Sequence, residues 1–297
     1  VGQSALALVV LLFVWRSLSG HWAEFRSVEL ELTPRPLPIL AALMVVWSTY
    51  ALLIAAWLAV LRGWGQRLPY LAGAKIWCVS NLGRYLPGKV WSVAGLAVLA
   101  ERAGVQGWAA AASAIALQAL AVGTGGLVVA AAAPASVPGW MLAVALVFGA
   151  ATVLALVWEP GPRLASGLMP RVSMQALPVT TAVGATLITW LSWLGYGVAF
   201  WLLGRGLVPA DLSLSTATGA FAAAYIVGLL AVFAPGGVGV REVLLVALLT
   251  PAVGSGSAIT LTVASRLLLT ITEAGAALMA FAIKTRDRGE LHGGMGA

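Results

Sequence analysis

Asn81 to Trp91 reads Asn-Leu-Gly-Arg-Tyr-Leu-Pro-Gly-Lys-Val-Trp, and Ala234 to Glu242 reads Ala-Pro-Gly-Gly-Val-Gly-Val-Arg-Glu. Each stretch sets proline, glycine and charge in the middle of an otherwise apolar segment. Proline removes a backbone donor and clashes with the preceding turn, and glycine adds conformational freedom. Neither belongs inside a membrane-crossing helix unless the freed backbone lines protein or water. The sequence therefore predicts helix breaks at Pro87 and Gly88 and again at Pro235, Gly236, Gly237 and Gly239. Broken helices of this kind build binding sites in transporters.

The solvent around these segments follows from composition. The chain is 61% hydrophobic and only 9% charged, with a mean hydropathy of +0.98, and several apolar runs approach the roughly 20 residues that span a bilayer. Membrane β-strands would appear as short alternating segments of about ten residues. The runs here are continuously apolar and rich in Leu, Ala and Val, which predicts an all-α polytopic membrane protein. The net charge of +7 comes from Lys and Arg scattered over loops and breaks. That is the ordinary pattern of a membrane protein and argues against nucleic acid as a partner. The single cysteine, Cys78, excludes an intrachain disulfide framework and reads as a buried, inert thiol. His21 and His292 stand far apart without neighbouring ligands, so no metal site and no cofactor are expected.

Full spans are predicted at Val1 to Ser17, Leu37 to Leu61, Gly107 to Ala133, Pro138 to Trp158, Val179 to Gly204 and Ser257 to Ile283. Tyr70 to Ala100 and Leu212 to Pro251 contain the breaks, and each break leaves an arm too short to cross a hydrocarbon core of about 30 Å. The expected architecture is thus about six spanning helices plus two re-entrant broken-helix hairpins. Residues 1–133 read span, span, hairpin, span, and residues 138–284 repeat that order with opposite orientation. The Pro-Gly-x-Val core recurs at Pro87 to Val90 and Pro235 to Val238, 148 positions apart. An inverted repeat of this kind places its substrate between the breaks. Lys and Arg concentrate at Arg62 and Arg67, at Arg163 and Arg171, and in the tail at Lys284, Arg286 and Arg288. Those sites are predicted to face the cytoplasm, including the short tail of residues 285–297. Tryptophans near the span ends, among them Trp64, Trp108 and Trp201, fit an interfacial belt.

Lys75, Arg84, Lys89, Arg241, Glu242, Arg266 and Glu273 lie inside apolar segments, where each costs roughly 2.5 to 3.5 kcal/mol on insertion scales. They are expected to face a cavity or a partner. One reading sends Arg84, Lys89 and Arg241 to an anionic head group, with Glu242 orienting Arg241. The plainer reading has Arg84 and Lys89 snorkel to the interface and pairs Arg241 with Glu242 or with backbone carbonyls. Arg266, Thr270 and Glu273 share one face of the last helix with Thr262, either as a structural ion-pair network or as a polar path. Gly123, Gly125, Gly126, Gly195 and Gly197 read as close helix packing. No nucleophile with a histidine base and no carboxylate cluster is visible, so the chain offers no candidate enzymatic constellation.

At the two broken stretches the chain resembles the lysylphosphatidylglycerol synthase transmembrane family, also called flippase-like. Asn81, Arg84, Tyr85, Pro87, Gly88, Lys89, Trp91 and Gly95 match its first hallmark, and Pro235, Gly236, Gly237, Gly239, Arg241 and Glu242 the second. The resemblance implies a multi-pass protein of a prokaryotic inner membrane that moves a phospholipid, or another lipid with a polar head, between leaflets. The candidate substrate-binding residues are then Asn81, Arg84, Tyr85, Lys89, Arg241 and Glu242 of the two hallmarks, with Arg266 of the last helix beside them. Synthases of this family carry a soluble aminoacyl-transferase domain after the membrane part, and only a short tail follows Ile283 here. Transfer of an amino acid is therefore not expected. A secondary transporter of a small anion would present similar cations, and a non-catalytic membrane subunit of a lipid or glycan pathway would use the same helices as a scaffold.

Overall fold

The computed structural model describes residues 34–86, 90–132, 139–158, 176–231 and 234–282. The predicted first span, most of the 159–178 connection and the tail lie outside them. The described chain is helical with no strands. It runs α1 (Pro36–Gly63), α2 (Tyr70–Asn81), α3 (Trp91–Arg102), α4 (Gly107–Ala132), α5 (Gly139–Val157), α6 (Val179–Leu207), α7 (Leu214–Leu230), α8 (Val240–Val253) and α9 (Ser255–Ala282), with tight 3-10 turns at Leu82–Tyr85 and Pro235–Gly237. Helices α1, α4, α6 and α9 are long and apolar enough to cross a membrane. At 1.5 Å per residue each is about 40 Å long. Shorter apolar helices, Leu146–Val157 within α5 and α7 itself, accompany them. This is an all-α polytopic membrane protein.

Both predicted breaks are present. Helix α2 stops at Asn81 and tightens through the 3-10 turn to an extended Leu86, and α3 starts at Trp91. Pro87, Gly88 and Lys89 themselves lie outside the described residues. On the second side α7 ends at Leu230, Pro235–Gly237 forms the other 3-10 turn, and α8 starts at Val240. Helices α2 and α3 have 12 residues each, about 18 Å, which falls short of a hydrocarbon core of about 30 Å.

Contacts at the connections fix how the hairpins enter. Gln66, before α2, accepts a hydrogen bond from the backbone N–H of Gln106, after α3, at 3.0 Å. The first hairpin thus leaves and returns at one end of the bundle. At that same end a Cβ on Gly63 would meet Leu177 and Thr181, where α6 begins. At the opposite end the Arg35 N–H donates to the Gly206 carbonyl at 2.8 Å, so α1 begins where α6 finishes and the two run antiparallel. A Cβ on Gly204 would touch Leu212, before α7, and Leu261, in the first turns of α9. The second hairpin therefore opens from the end opposite the first. The order helix, hairpin, helix recurs with its direction reversed, and the two tips meet: a Cβ on Gly236 would lie 3.8 Å from the Arg84 carbonyl and from the Tyr85 ring.

Two apolar cores flank this meeting point. One gathers Val46, Trp193, Phe200, Phe221, Leu245 and Leu261 around α6 to α9, and the other gathers Trp57, Leu61, Ile76, Leu96 and Leu117 around α1 to α4. Small residues let the helices close. A Cβ on Gly125 would stand 2.7 Å from Ile226 and from Trp193, and Gly195 and Gly197 face Thr49 and Thr218 as tightly, as expected for close packing. Trp64 departs from the interfacial expectation: it is buried and packs on Trp108 at 6.1 Å between ring centroids. The turn after α1 folds it back onto the second core.

Gly83 closes the first hairpin, because a Cβ there would stand 2.8 Å from the backbone of Trp91 and Ser92. Backbone cannot rotate aside as a side chain can. Gly83→Ala is expected to destabilise the protein by roughly 1 to 3 kcal/mol, the usual cost of overpacking, and to lower the thermal midpoint in detergent by several degrees. An unchanged midpoint would show that the arms separate freely.

Candidate functional site at the meeting of the two breaks

The last helix carries two charged side chains toward the tips. Arg266 and Glu273 are seven residues apart on α9, two turns or about 10 Å along the axis. Glu273 serves the first break. Its Oε1 accepts from Arg84 Nη1 at 2.7 Å and its Oε2 from the Tyr85 hydroxyl at 2.6 Å. Arg84 Nη2 also donates to Asn81 Oδ1 at 3.1 Å. Burial is uneven: the Arg84 side chain is 31% exposed and that of Glu273 8%. The carboxylate is the group that cannot tolerate losing its partners.

Arg266 serves the second break. Its Nη1 donates to the Gly236 carbonyl and to Glu242 Oε1, both at 3.1 Å. Gly236 has φ +58, a left-handed conformation that glycine adopts without steric cost, and this turns its carbonyl toward α9. The other Glu242 oxygen, Oε2, accepts from the Gly239 N–H at 2.7 Å and so caps the start of α8, where a carboxylate also suits the helix dipole.

These bonds correct the expectation that Glu242 orients Arg241. Both Glu242 oxygens are engaged elsewhere, and Arg241 turns the other way. Successive residues on a helix point about 100° apart, so Glu242 looks back at Gly239 and α9 while Arg241 enters the core at 6% exposure. Its guanidinium carbon lies 4.9 Å from the Phe221 ring centroid and 5.5 Å from that of Tyr225. Tyr196 continues this shelf, stacked on Phe221 at 5.6 Å with 20° between ring planes. Arg241 Nη2 is buried without a hydrogen-bond partner. No carboxylate lies within ion-pair reach of Arg241 among the described residues.

Asn81, Arg84, Tyr85, Arg241, Glu242 and Arg266 are thus gathered at the two tips, while Lys89 lies outside the described residues. Arg266 is bound to Glu242, as in the structural ion-pair reading, whereas Arg84 does not snorkel to the interface but is held by Glu273 of α9. Glu273 joins the site as the anchor of the first tip. Phe221, Tyr225 and Tyr196 are further members. Phe221 and Tyr225 stand at i and i+4 on α7, the one trace of their shared role in the sequence.

A groove opens beside the first tip between α1, α2 and α9. Trp47, Tyr50, Tyr70, Ala74, Cys78 and Met279 line it, and with its open mouth it encloses about 530 Å³. Cys78, expected to be buried, is half-buried in its wall. Tyr50 separates the groove from the charges, its hydroxyl 3.4 Å from Thr272 Oγ1, next to Glu273. Trp47 closes the same side by donating to the Thr272 carbonyl at 3.1 Å. Neither a protein-family model nor a curated protein matches the chain.

Glu273→Gln removes the counter-charge of Arg84, and the expected loss is on the order of 3 kcal/mol, toward the low end for a broken buried pair because Arg84 is partly exposed. Combining it with Arg84→Gln should restore much of the lost thermal midpoint, since the two residues interact directly. Additive losses in the double variant would show that the pair does not hold the tip.

Proposed function

We propose that the protein is a lipid translocase, moving a phospholipid or another lipid with a polar head between the leaflets of a prokaryotic inner membrane, as its resemblance to the flippase-like family implies. The observation that carries this reading is the conjunction of a buried cationic centre with a neighbouring apolar groove. Hairpins from opposite ends of the bundle meet at that centre, which gives each leaflet its own route to a shared site. Arginines there suit an anionic head. The groove between α1, α2 and α9 offers an apolar chain a path alongside it. A transporter of small anions would use the same cations but would have no use for the groove.

Reconstitution distinguishes the two. Vesicles containing the protein should expose an inner-leaflet fluorescent phospholipid to an impermeant quencher faster than protein-free vesicles do. Ala74→Trp, which fills the groove, should remove most of that transfer. Uptake of inorganic phosphate with no lipid transfer, in wild type and variant alike, would replace the lipid reading with the small-anion one.

The end of the bundle that holds Gln66 also holds Arg62, Arg67 and Arg102, and the Lys and Arg bias assigns it to the cytoplasm together with the C-terminus. In a protein whose only native cysteine has been replaced by Cys78→Ala, a cysteine at Gln66 should resist an impermeant thiol reagent in intact cells and react once the membrane is opened. Reaction from outside intact cells would invert the assignment.

A further inference from the structure

The charges at the two tips do not balance. The described part of the centre holds three arginines, Arg84, Arg241 and Arg266, and two carboxylates, Glu242 and Glu273, and both carboxylates are committed. Glu273 is engaged by Arg84 and Tyr85, and Glu242 by Arg266 and the Gly239 N–H. Among the described residues Arg241 is left as the unmatched cation. It is also the most buried of the three, at 6% exposure, and its Nη2 has no partner. The faces of Phe221 and Tyr225 offset part of the desolvation of a guanidinium. They leave in-plane N–H donors unanswered, because a ring face accepts from above the guanidinium plane and not along its edge. A purely structural arginine at such depth would have a carboxylate or a carbonyl for each donor.

We propose that Arg241 is the anion-binding residue of this centre, that it takes an oxyanion such as the phosphodiester of a lipid head, and that Arg84 and Arg266 hold the two hairpin tips instead of touching the ligand. The aromatic shelf adds a geometric filter, because it holds the guanidinium flat and presents only its edge to an incoming oxygen. Arg241 is shut from solvent in this conformation, so the anion reaches it when the tips part. This assignment rests on the lipid reading for its ligand source, since a lipid head and a free phosphate offer the same oxygen.

The assignment has a consequence that a structural role does not share: the ligand-free protein is stabilised by losing Arg241. The test is thermal unfolding of the full chain in detergent, alone and with added dihexanoyl phosphatidylglycerol, dihexanoyl phosphatidic acid, dihexanoylglycerol or inorganic phosphate. Wild type should gain about 3 °C or more with phosphatidylglycerol, a comparable amount with phosphatidic acid, and nothing with the uncharged dihexanoylglycerol. Arg241→Gln should unfold at a higher temperature than ligand-free wild type and lose the phosphatidylglycerol shift, and Arg241→Lys should keep part of it. Arg84→Gln should unfold at a lower temperature yet keep the shift. An Arg241→Gln protein that unfolds earlier than wild type, fails to fold or still responds to phosphatidylglycerol would overturn the assignment. A shift with inorganic phosphate equal to that with phosphatidylglycerol would transfer the site to a soluble anion. Because unfolding and not lipid movement is measured, a protein that binds through Arg241 but moves no lipid would refute the translocase reading alone.

Discussion

The carboxylate of Glu273 is the fixed point of the molecule. A chain broken at Asn81 frees backbone groups and exposes two short arms that cannot stand alone, so the first hairpin needs a partner from outside itself. Glu273 supplies it by accepting from Arg84 and Tyr85 on the two sides of one carboxylate. Two turns earlier on the same helix, Arg266 does the complementary work for the second hairpin. One helix thereby ties together two elements that enter from opposite ends of the bundle, and the opposite signs of its two charges match the opposite needs of the tips. The first break presents a cation and a hydroxyl, both donors. The second presents a carbonyl and a carboxylate, both acceptors.

This division of labour explains why so many charges can be buried in so apolar a chain. An unpaired charge at a helix centre costs several kcal/mol, yet Arg84, Glu242, Arg266 and Glu273 each meet an opposite charge, and the breaks hold them where backbone groups can join in. Trp47 and Tyr50 of α1 add a wall that keeps Thr272, and with it Glu273, in register with the first tip. Arg241 stands apart because its neighbours are rings. Cation–π attraction of about 0.5 to 2 kcal/mol is smaller than the desolvation it opposes. Among the described residues the centre of the fold therefore holds an uncompensated cation beside four compensated charges, and a group that raises the energy of the resting protein in this way is of the kind found at functional sites.

The breaks were legible in the sequence because their cause is local. A Pro-Gly pair in an apolar run can do little else, and the hydropathy of α1, α4, α6 and α9 announces helices of membrane length. The charge pairing was not legible. Arg241 and Glu242 are adjacent, which invites pairing them on paper, but adjacent helical residues diverge by about 100°. The true partner of Glu242 is 24 positions away and that of Arg84 is 189 away. Which carboxylate meets which arginine depends on the height at which each tip reaches α9, and only the assembled bundle sets that height. The aromatic shelf was hidden for a related reason. Helix α7 is apolar all round, so no face of Phe221 and Tyr225 stands out until Arg241 lies across them. Cys78 was misjudged because a neighbouring tryptophan suggests a core, whereas α2 turns this residue toward the groove.

The described bonds of the two tips to α9 also differ, and the difference bears on which side of the centre can change. At the second tip the freed Gly236 carbonyl is capped by Arg266, the same guanidinium that neutralises Glu242. Moving this tip away from α9 would orphan a carbonyl and separate an ion pair at once. Among the described residues of the first tip the bonds to α9 are made by the side chains of Arg84 and Tyr85, and Arg84 is partly exposed with Asn81 as a second acceptor. Long side chains can keep hold of Glu273 while the backbone shifts, whereas a carbonyl cannot. Opening of the centre is therefore easier on the side of α2 and α3, which is also the side where the apolar groove lies against α9.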